Sequence, residues 1–253
     1  MNNHEIYAVI VAGGKGVRMD SKIRKQYINI AGEPIIVHTL RAFTTFSQIG
    51  KIALVTPKED FDYCLKNIIS AYGFGEKVFV VSGGKERQHS VLNGLKKIDQ
   101  LSKLNDKDGL AQSKTLINRK IVLIHDGVRP FVDHKIIARS IDCALKHGAS
   151  IPVVPVTDTL KLMDSDGFVA GVVDRANLYK VQTPQVFDLE LIIRAHEDAV
   201  KSNYLATDDA SLVERLGQKV FMTNGSAINI KITTQDDLVF AKHIFFDLNG
   251  SKK

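Results

Sequence analysis

Ile6-Tyr7-Ala8-Val9-Ile10-Val11 runs straight into Ala12-Gly13-Gly14-Lys15-Gly16-Val17-Arg18-Met19, with Lys25-Gln26-Tyr27 close behind. A short β-branched run that ends in glycines predicts a buried parallel strand whose carboxyl end opens into a loop. Glycine there tolerates positive φ and lets backbone N–H groups approach a phosphate. The loop matches neither familiar phosphate-binding pattern: it has no Gly-x-Gly-x-x-Gly and no Gly-Lys-Ser/Thr ending. It has Arg18 and Lys25 behind the glycines instead, so backbone donors and two cations can surround one polyphosphate. A plain strand–loop turn with surface cations remains the competing reading of this stretch.

Working outward, the same rhythm repeats. Pro34 opens a helix through Phe43, Lys51–Thr56 is a second strand closed by Pro57, and Asp60–Ala71 reads as its helix. Val78–Ser82 is a third strand ending in Gly83-Gly84-Lys85-Glu86-Arg87-Gln88-His89-Ser90, before a helix from Val91 to Ile98. The polar, lysine-rich stretch from Gln100 to Arg119 reads as a surface loop or insertion. Lys120–His125 is a strongly apolar strand followed by Asp126-Gly127-Val128-Arg129-Pro130-Phe131. A carboxylate after a central strand is expensive to bury alone, so Asp126 should meet a cation such as Arg129, or a metal.

A helix at Lys135–His147 leads to Ile151–Val156, and there the pattern changes. Phe168–Val173 and Leu178–Gln182 read as short strands around Asp174–Asn177, with a turn at Asp164–Gly167. Residues 157–182 therefore read as a β-arm leaving a single domain of residues 1–253, and such an arm invites a partner subunit. A helix from about Asp188 to Lys201 follows, then another opened by Thr207, for which helix capping is the ordinary role. Val220–Thr223 and Asn229–Thr233 complete the strands, with Lys231 on an alternating stretch, and Thr234 starts the last helix. Strands alternating with helices predict an α/β fold with a doubly wound, mainly parallel sheet. Its ligand site should lie beyond the carboxyl ends of the strands, where three polar clusters, Ala12–Lys25, Gly83–Ser90 and Asp126–Arg129, all fall.

The chain has 253 residues, 44% of them hydrophobic, and a formal charge of +6. That is enough to bury a sizeable core. No apolar run approaches the roughly 20 residues that span a bilayer, and Met1–Glu5 is a polar lead-in without a signal-peptide pattern, so the cytoplasm is the expected location. The basic residues are scattered rather than striped, and aromatics make up only 7%. This argues against nucleic acid and for a small anionic substrate. Cys64 and Cys143 lack metal or redox spacing and read as buried small hydrophobes.

Taken in order, these motifs resemble the 2-C-methyl-D-erythritol 4-phosphate cytidylyltransferases. The series is Ala12–Met19, Lys25–Tyr27, Gly83–Arg87 with Ser90, His125–Phe131, Asp158–Lys161, Asp174-Arg175, Gln182–Gln185, Thr207–Ala210 and Asn229–Thr233. The resemblance implies a Rossmann-like nucleotidyltransferase, dimeric through its arm, that joins CTP to a sugar-alcohol phosphate with Mg²⁺ or another divalent cation. By resemblance, Ala12, Gly13, Gly14 and Gly16 with Arg18 and Lys25 hold the triphosphate, and Gly84, Lys85 and Ser90 select cytosine. Asp126 holds the metal. Arg129, Thr207 and Lys231 bind the sugar phosphate with Thr159, Arg175 and Thr183 from a second subunit's arm. Arg18, Lys25 and Lys231 are the implied catalytic cations. Ala-Gly-Gly in place of the commoner Ala-Ala-Gly is shared with the ribitol-5-phosphate cytidylyltransferases, which keeps that substrate as the alternative. A noncatalytic nucleotide-binding module is the alternative of another class.

Overall fold

A computed structural model describes residues 4–14, 23–107 and 119–250. At its centre is a sheet of eight strands: β1 (His4–Val11), β4 (Ile49–Thr56), β5 (Val78–Ser82), β6 (Arg119–Asp126), β7 (Ala149–Pro155), β10 (Tyr179–Val181), β11 (Gln185–Asp188) and β12 (Phe221–Asn224). β6, β1, β4 and β5 lie side by side and parallel. β11 is antiparallel to both β6 and β7, while β12 runs parallel to β7. Two small ladders stand apart, β2 (Asn29–Ile30) with β3 (Glu33–Pro34), and β8 (Leu160–Met163) with β9 (Val169–Val173).

Both faces of β1 are covered, which is why it reads as an unbroken apolar run. Ile6, Ala8 and Ile10 face α1 (Ile35–Thr44) and α4 (His134–His147) in one core, and Tyr7 and Val9 face α3 (Arg87–Lys107) and α5 (Leu189–Lys201) in the other. α6 (Asp209–Arg215) joins the second core, and α7 (Gln235–Gly250) closes a third small cluster with Ile35, Phe131 and Ile232. Among the described residues no helix is long and apolar enough to cross a membrane.

Several expectations need correcting. The helix expected over Asp60–Ala71 is a composite: a 3₁₀ turn at Lys58–Asp60, α2 (Phe61–Tyr63) and a π-helical run at Cys64–Ser70. α3 extends into the stretch read as a loop, as far as Lys107, while residues 108–118 of that stretch lie outside the described residues. Leu95, Ile98 and Ser102 keep one helical face buried. The polarity of this stretch belongs to the solvated face, where Lys103 pairs with Asp99 one turn back at 2.6 Å. Asn229–Thr233 is not a strand: its sequence alternates, but of its backbone N–H groups only that of Ile232 bonds a distant segment, at the Val128 carbonyl (2.9 Å). Cys143 is only partly buried, whereas Cys64 is buried as expected.

Of residues 157–182, the β8–β9 hairpin stands away from the sheet. It turns at Asp164–Gly167, where the Asp164 carboxylate accepts the N–H groups of Asp166 and Phe168. Tyr179–Val181, read as part of the arm, instead pairs antiparallel with Val153–Pro155 at the end of the main sheet.

Candidate active site

The carboxyl ends of β1, β4, β5 and β6 open into one cleft of about 670 Å³. Its lining includes Ala12, Gly13, Gly14, Lys25, Gly83, Gly84, Lys85, Arg87, Ser90, Asp126 and Lys231. The three clusters read from the sequence therefore converge. Arg18 and Gly16 lie outside the described residues.

The glycines serve close approach rather than unusual φ. None of Gly13, Gly14, Gly83 and Gly84 takes a left-handed φ. A Cβ on Gly83 would sit 2.9 Å from Ser90 Oγ, and one on Gly84 would sit 2.4 Å from His89 Cβ. The buried Ser90 hydroxyl accepts the Gly84 N–H (3.0 Å) and donates to the Glu86 carbonyl (3.1 Å), fixing the loop after β5 to the start of α3. Lys25 crosses over Gly14, its Cε 3.2 Å from where a Cβ would stand. Flanking residues hold the 3₁₀ turn that carries it: Gln26 donates to the Ala12 carbonyl (2.7 Å) and the Tyr27 hydroxyl to Asp60 (3.0 Å).

Asp126, 6% exposed at the end of β6, is the electrostatic centre. Its Oδ2 lies 3.0 Å from Lys231 Nζ and 3.2 Å from Arg129 Nε, and its Oδ1 lies 3.5 Å from Arg87 Nε. Burial alone would raise its pKa, but Lys231, Arg87 and Arg129 outweigh that and hold it well below the usual carboxylate range. Asp126 thus pairs with Arg129, as the spacing suggested, and with two more cations that spacing could not reveal.

Behind it runs a chain of hydrogen bonds. The Asp126 N–H donates to Thr183 Oγ1 (3.1 Å), which lies 2.9 Å from His125 Nδ1, while His125 Nε2 lies 3.1 Å from the Arg129 carbonyl. That carbonyl can only accept, so Nε2 carries the ring proton and Nδ1 accepts from Thr183. Burial pushes the His125 pKa down to about 4, keeping the ring neutral. Thr183 was expected on a partner's arm. It lies buried in this chain, with its hydroxyl already engaged by Asp126 and His125.

Asn229 locks the other side, donating to the Thr183 carbonyl (3.0 Å), while its own carbonyl accepts from Arg129 (2.9 Å). Gln182 donates to the Ser226 carbonyl at 2.8 Å. Lys231 is two residues beyond Asn229, so this network aims it into the cleft.

Thr159, Arg175 and Thr207 do not line the cleft in a single chain, and all three are exposed. Arg175 is bonded to the Thr157 carbonyl. Thr207 is not the cap of α6: Asp208 is, accepting the Ser211 N–H at 3.0 Å. Sequence reading passed over Arg87, Asp209, Gln185 and His125 as site residues. Arg87 could have been found, because it follows a strand-end glycine pair as Arg129 follows Asp126. Asp209 and Gln185 meet only through the fold.

Residues 6–247 match the family described as 2-C-methyl-D-erythritol 4-phosphate cytidylyltransferase. A protein of that name from Clostridioides difficile (strain 630) is 45% identical over 245 residues, covering 97% of this chain and 94% of its own. Another, from Syntrophus aciditrophicus (strain SB), is 44% identical over 238 residues, covering 94% of each. The crystal structure of 4-diphosphocytidyl-2C-methyl-D-erythritol synthase from Anaerococcus prevotii DSM 20548 superposes with a TM-score of 0.76 at 33% identity, over 96% of both chains. The chain belongs to the 2-C-methyl-D-erythritol 4-phosphate cytidylyltransferase family.

Proposed function

We propose that this chain joins CTP to 2-C-methyl-D-erythritol 4-phosphate, releasing pyrophosphate and forming 4-diphosphocytidyl-2-C-methyl-D-erythritol for non-mevalonate isoprenoid biosynthesis. The observation that carries the proposal is the cation cluster at Asp126, with Lys231 at 3.0 Å and Lys25 lining the same cleft.

A phosphate monoester is already ionised near neutral pH, so its oxygen attacks the α-phosphorus without a side-chain base. The barrier is repulsion between two anions, roughly 4 kcal/mol for each pair of unit charges 4 Å apart at an effective dielectric near 20. Lys25, beside the Gly13-Gly14 backbone, would hold the triphosphate and neutralise the charge that grows on the pentacoordinate phosphorus. Arg18 is assigned the same task through the family motif. Lys231 and Arg129 would seat the incoming phosphate. Gly84, Lys85 and Ser90 would enclose cytosine. Thr207 is assigned to the sugar phosphate through the family motif alone.

The donor set fits a divalent cation of one kind. Among the described residues there is no group of three or more His, Cys, Asp and Glu, so no all-protein cage is built. Mg²⁺, which binds through few carboxylates plus substrate phosphates and water, suits the single ionised Asp126. When bound, such an ion would neutralise phosphate charge and align the triphosphate.

A second copy completes the reading. The β8–β9 hairpin leaves Leu162, Met163, Phe168, Val169 and Val172 largely exposed, an apolar surface suited to burial in a homodimer. Thr159 and Arg175 at its base would then reach a neighbouring cleft. A panel of CTP, other nucleoside triphosphates, 2-C-methyl-D-erythritol 4-phosphate and ribitol 5-phosphate, read by pyrophosphate release, tests the proposal. Turnover only with ribitol 5-phosphate, or none with either phosphate, overturns it.

A further inference from the structure

Asp209 is 1% exposed and ionised, with its carboxyl held below the usual range because Arg87 and His196 outweigh the effect of burial. Its Oδ1 lies 3.2 Å from His196 Nε2, and its Oδ2 lies 2.8 Å from an Arg87 terminal nitrogen. The same guanidinium reaches Asp126 through Nε, 3.5 Å from Oδ1. Arg87 therefore bridges a carboxylate inside the cleft and one behind it.

Side-chain hydrogen bonds hold the backbone around Asp209. Gln185 Oε1 accepts the backbone N–H groups of Asp209 and Ala210, both at 3.0 Å, and Gln185 Nε2 donates to Asp208 at 2.7 Å. Gln88, next to Arg87, donates to the Tyr204 carbonyl (3.0 Å) and accepts the Ala206 N–H (2.9 Å). The start of α3 is thus stapled to the loop before α6. A buried ion pair is poor economy for stability alone, since well-packed apolar side chains do as well.

We propose that Asp209 is a positioning residue for cytidylyl transfer: by taking a terminal nitrogen of the Arg87 guanidinium it keeps that cation from closing on Asp126, whose Oδ1 is left with only the long 3.5 Å approach of Nε. Without the Asp209 charge, Arg87 moves fully onto Asp126 as a bidentate partner. Asp126, already paired with Lys231 and Arg129, then has both oxygens tightly held and is lost to the ligands. This inference rests on the cytidylyl-transfer reading of the cleft.

The test is a double-mutant cycle on the full-length chain with Asp209→Asn, Arg87→Gln and both together, measuring kcat and KM for CTP by pyrophosphate release. Asp209→Asn is expected to lower kcat about tenfold and to leave KM for CTP within threefold. If Asp209 acts through Arg87, the double variant is no slower than the slower single variant. Additive losses, or wild-type kcat in a folded Asp209→Asn chain, overturn the inference while wild-type turnover upholds the reaction. A wild-type chain without turnover overturns both. Should Asp209→Asn fail to fold, Arg87→Lys keeps the charge but cannot span both carboxylates. A tenfold fall in its kcat supports the inference, and a change under twofold overturns it.

Discussion

Replacing Lys231 by methionine keeps the length and apolar stem of the side chain and removes its charge, 3.0 Å from Asp126. A phosphate oxygen meeting this ammonium at about 4 Å gains roughly 4 kcal/mol at an effective dielectric near 20. The Lys231 side chain is 39% exposed, and solvent screening reduces the gain to about 2 kcal/mol, or about thirtyfold in rate. The fold should tolerate the change, because Asp126 keeps Arg129 and Arg87. Steady-state pyrophosphate release at saturating CTP, with the sugar phosphate varied, separates kcat from KM. The reasoning predicts kcat/KM for the sugar phosphate down about thirtyfold, with thermal unfolding near that of the wild type. A folded Lys231→Met chain with kcat/KM within threefold of wild type refutes it.

Lys25→Ala should reduce kcat far more than it raises KM for CTP; mixed with Arg175→Ala, verified heterodimers should regain activity, and a lack of recovery argues against a shared site. His125 gives a pH dependence of stability. Its folded pKa is pushed from 6.5 to about 4, so between those values the unfolded chain binds the extra proton. The neutral ring's contribution, up to about 3 kcal/mol, is complete above pH 6.5 and lost as pH falls toward 4. The urea midpoint should therefore fall steadily from pH 7 to 4.5, and a flat profile refutes the assignment. Asp208→Ala removes the α6 cap and the Gln185 contact together, which should cost about 2 kcal/mol and lower Tm by roughly 4–8 °C; an unchanged Tm would contradict this.

How much of this was legible in the sequence differs by residue. Gly13, Gly83 and Asp126 could be placed together because each follows a β-branched run, and a parallel sheet delivers all strand ends to one edge. Lys25 and Arg129 came with them through short spacing. Arg87 lies inside a quoted motif, but local spacing says nothing of its two carboxylate partners, Asp126 and Asp209. Gln185 and Asp209, and likewise Gln182 and Asn229, lie far apart in the chain, and no local pattern announces a contact made by tertiary folding. Over Gln100–Lys107 the polar run misled because composition reports exposure rather than backbone conformation, and an exposed helical face is as polar as a loop. Asn229–Thr233 misled in the opposite way: Ile230 and Ile232 alternate as in a strand, yet no neighbouring strand is there to pair with them.

The central claim is that one cleft brings two anions together among fixed positive charges. A crystal structure of the chain with a nonhydrolysable CTP analogue and 2-C-methyl-D-erythritol 4-phosphate tests it directly. The account predicts the attacking phosphate oxygen about 3–3.5 Å from the α-phosphorus, between Lys25 and Lys231. Phosphates bound on separate faces, or away from Asp126, would contradict it.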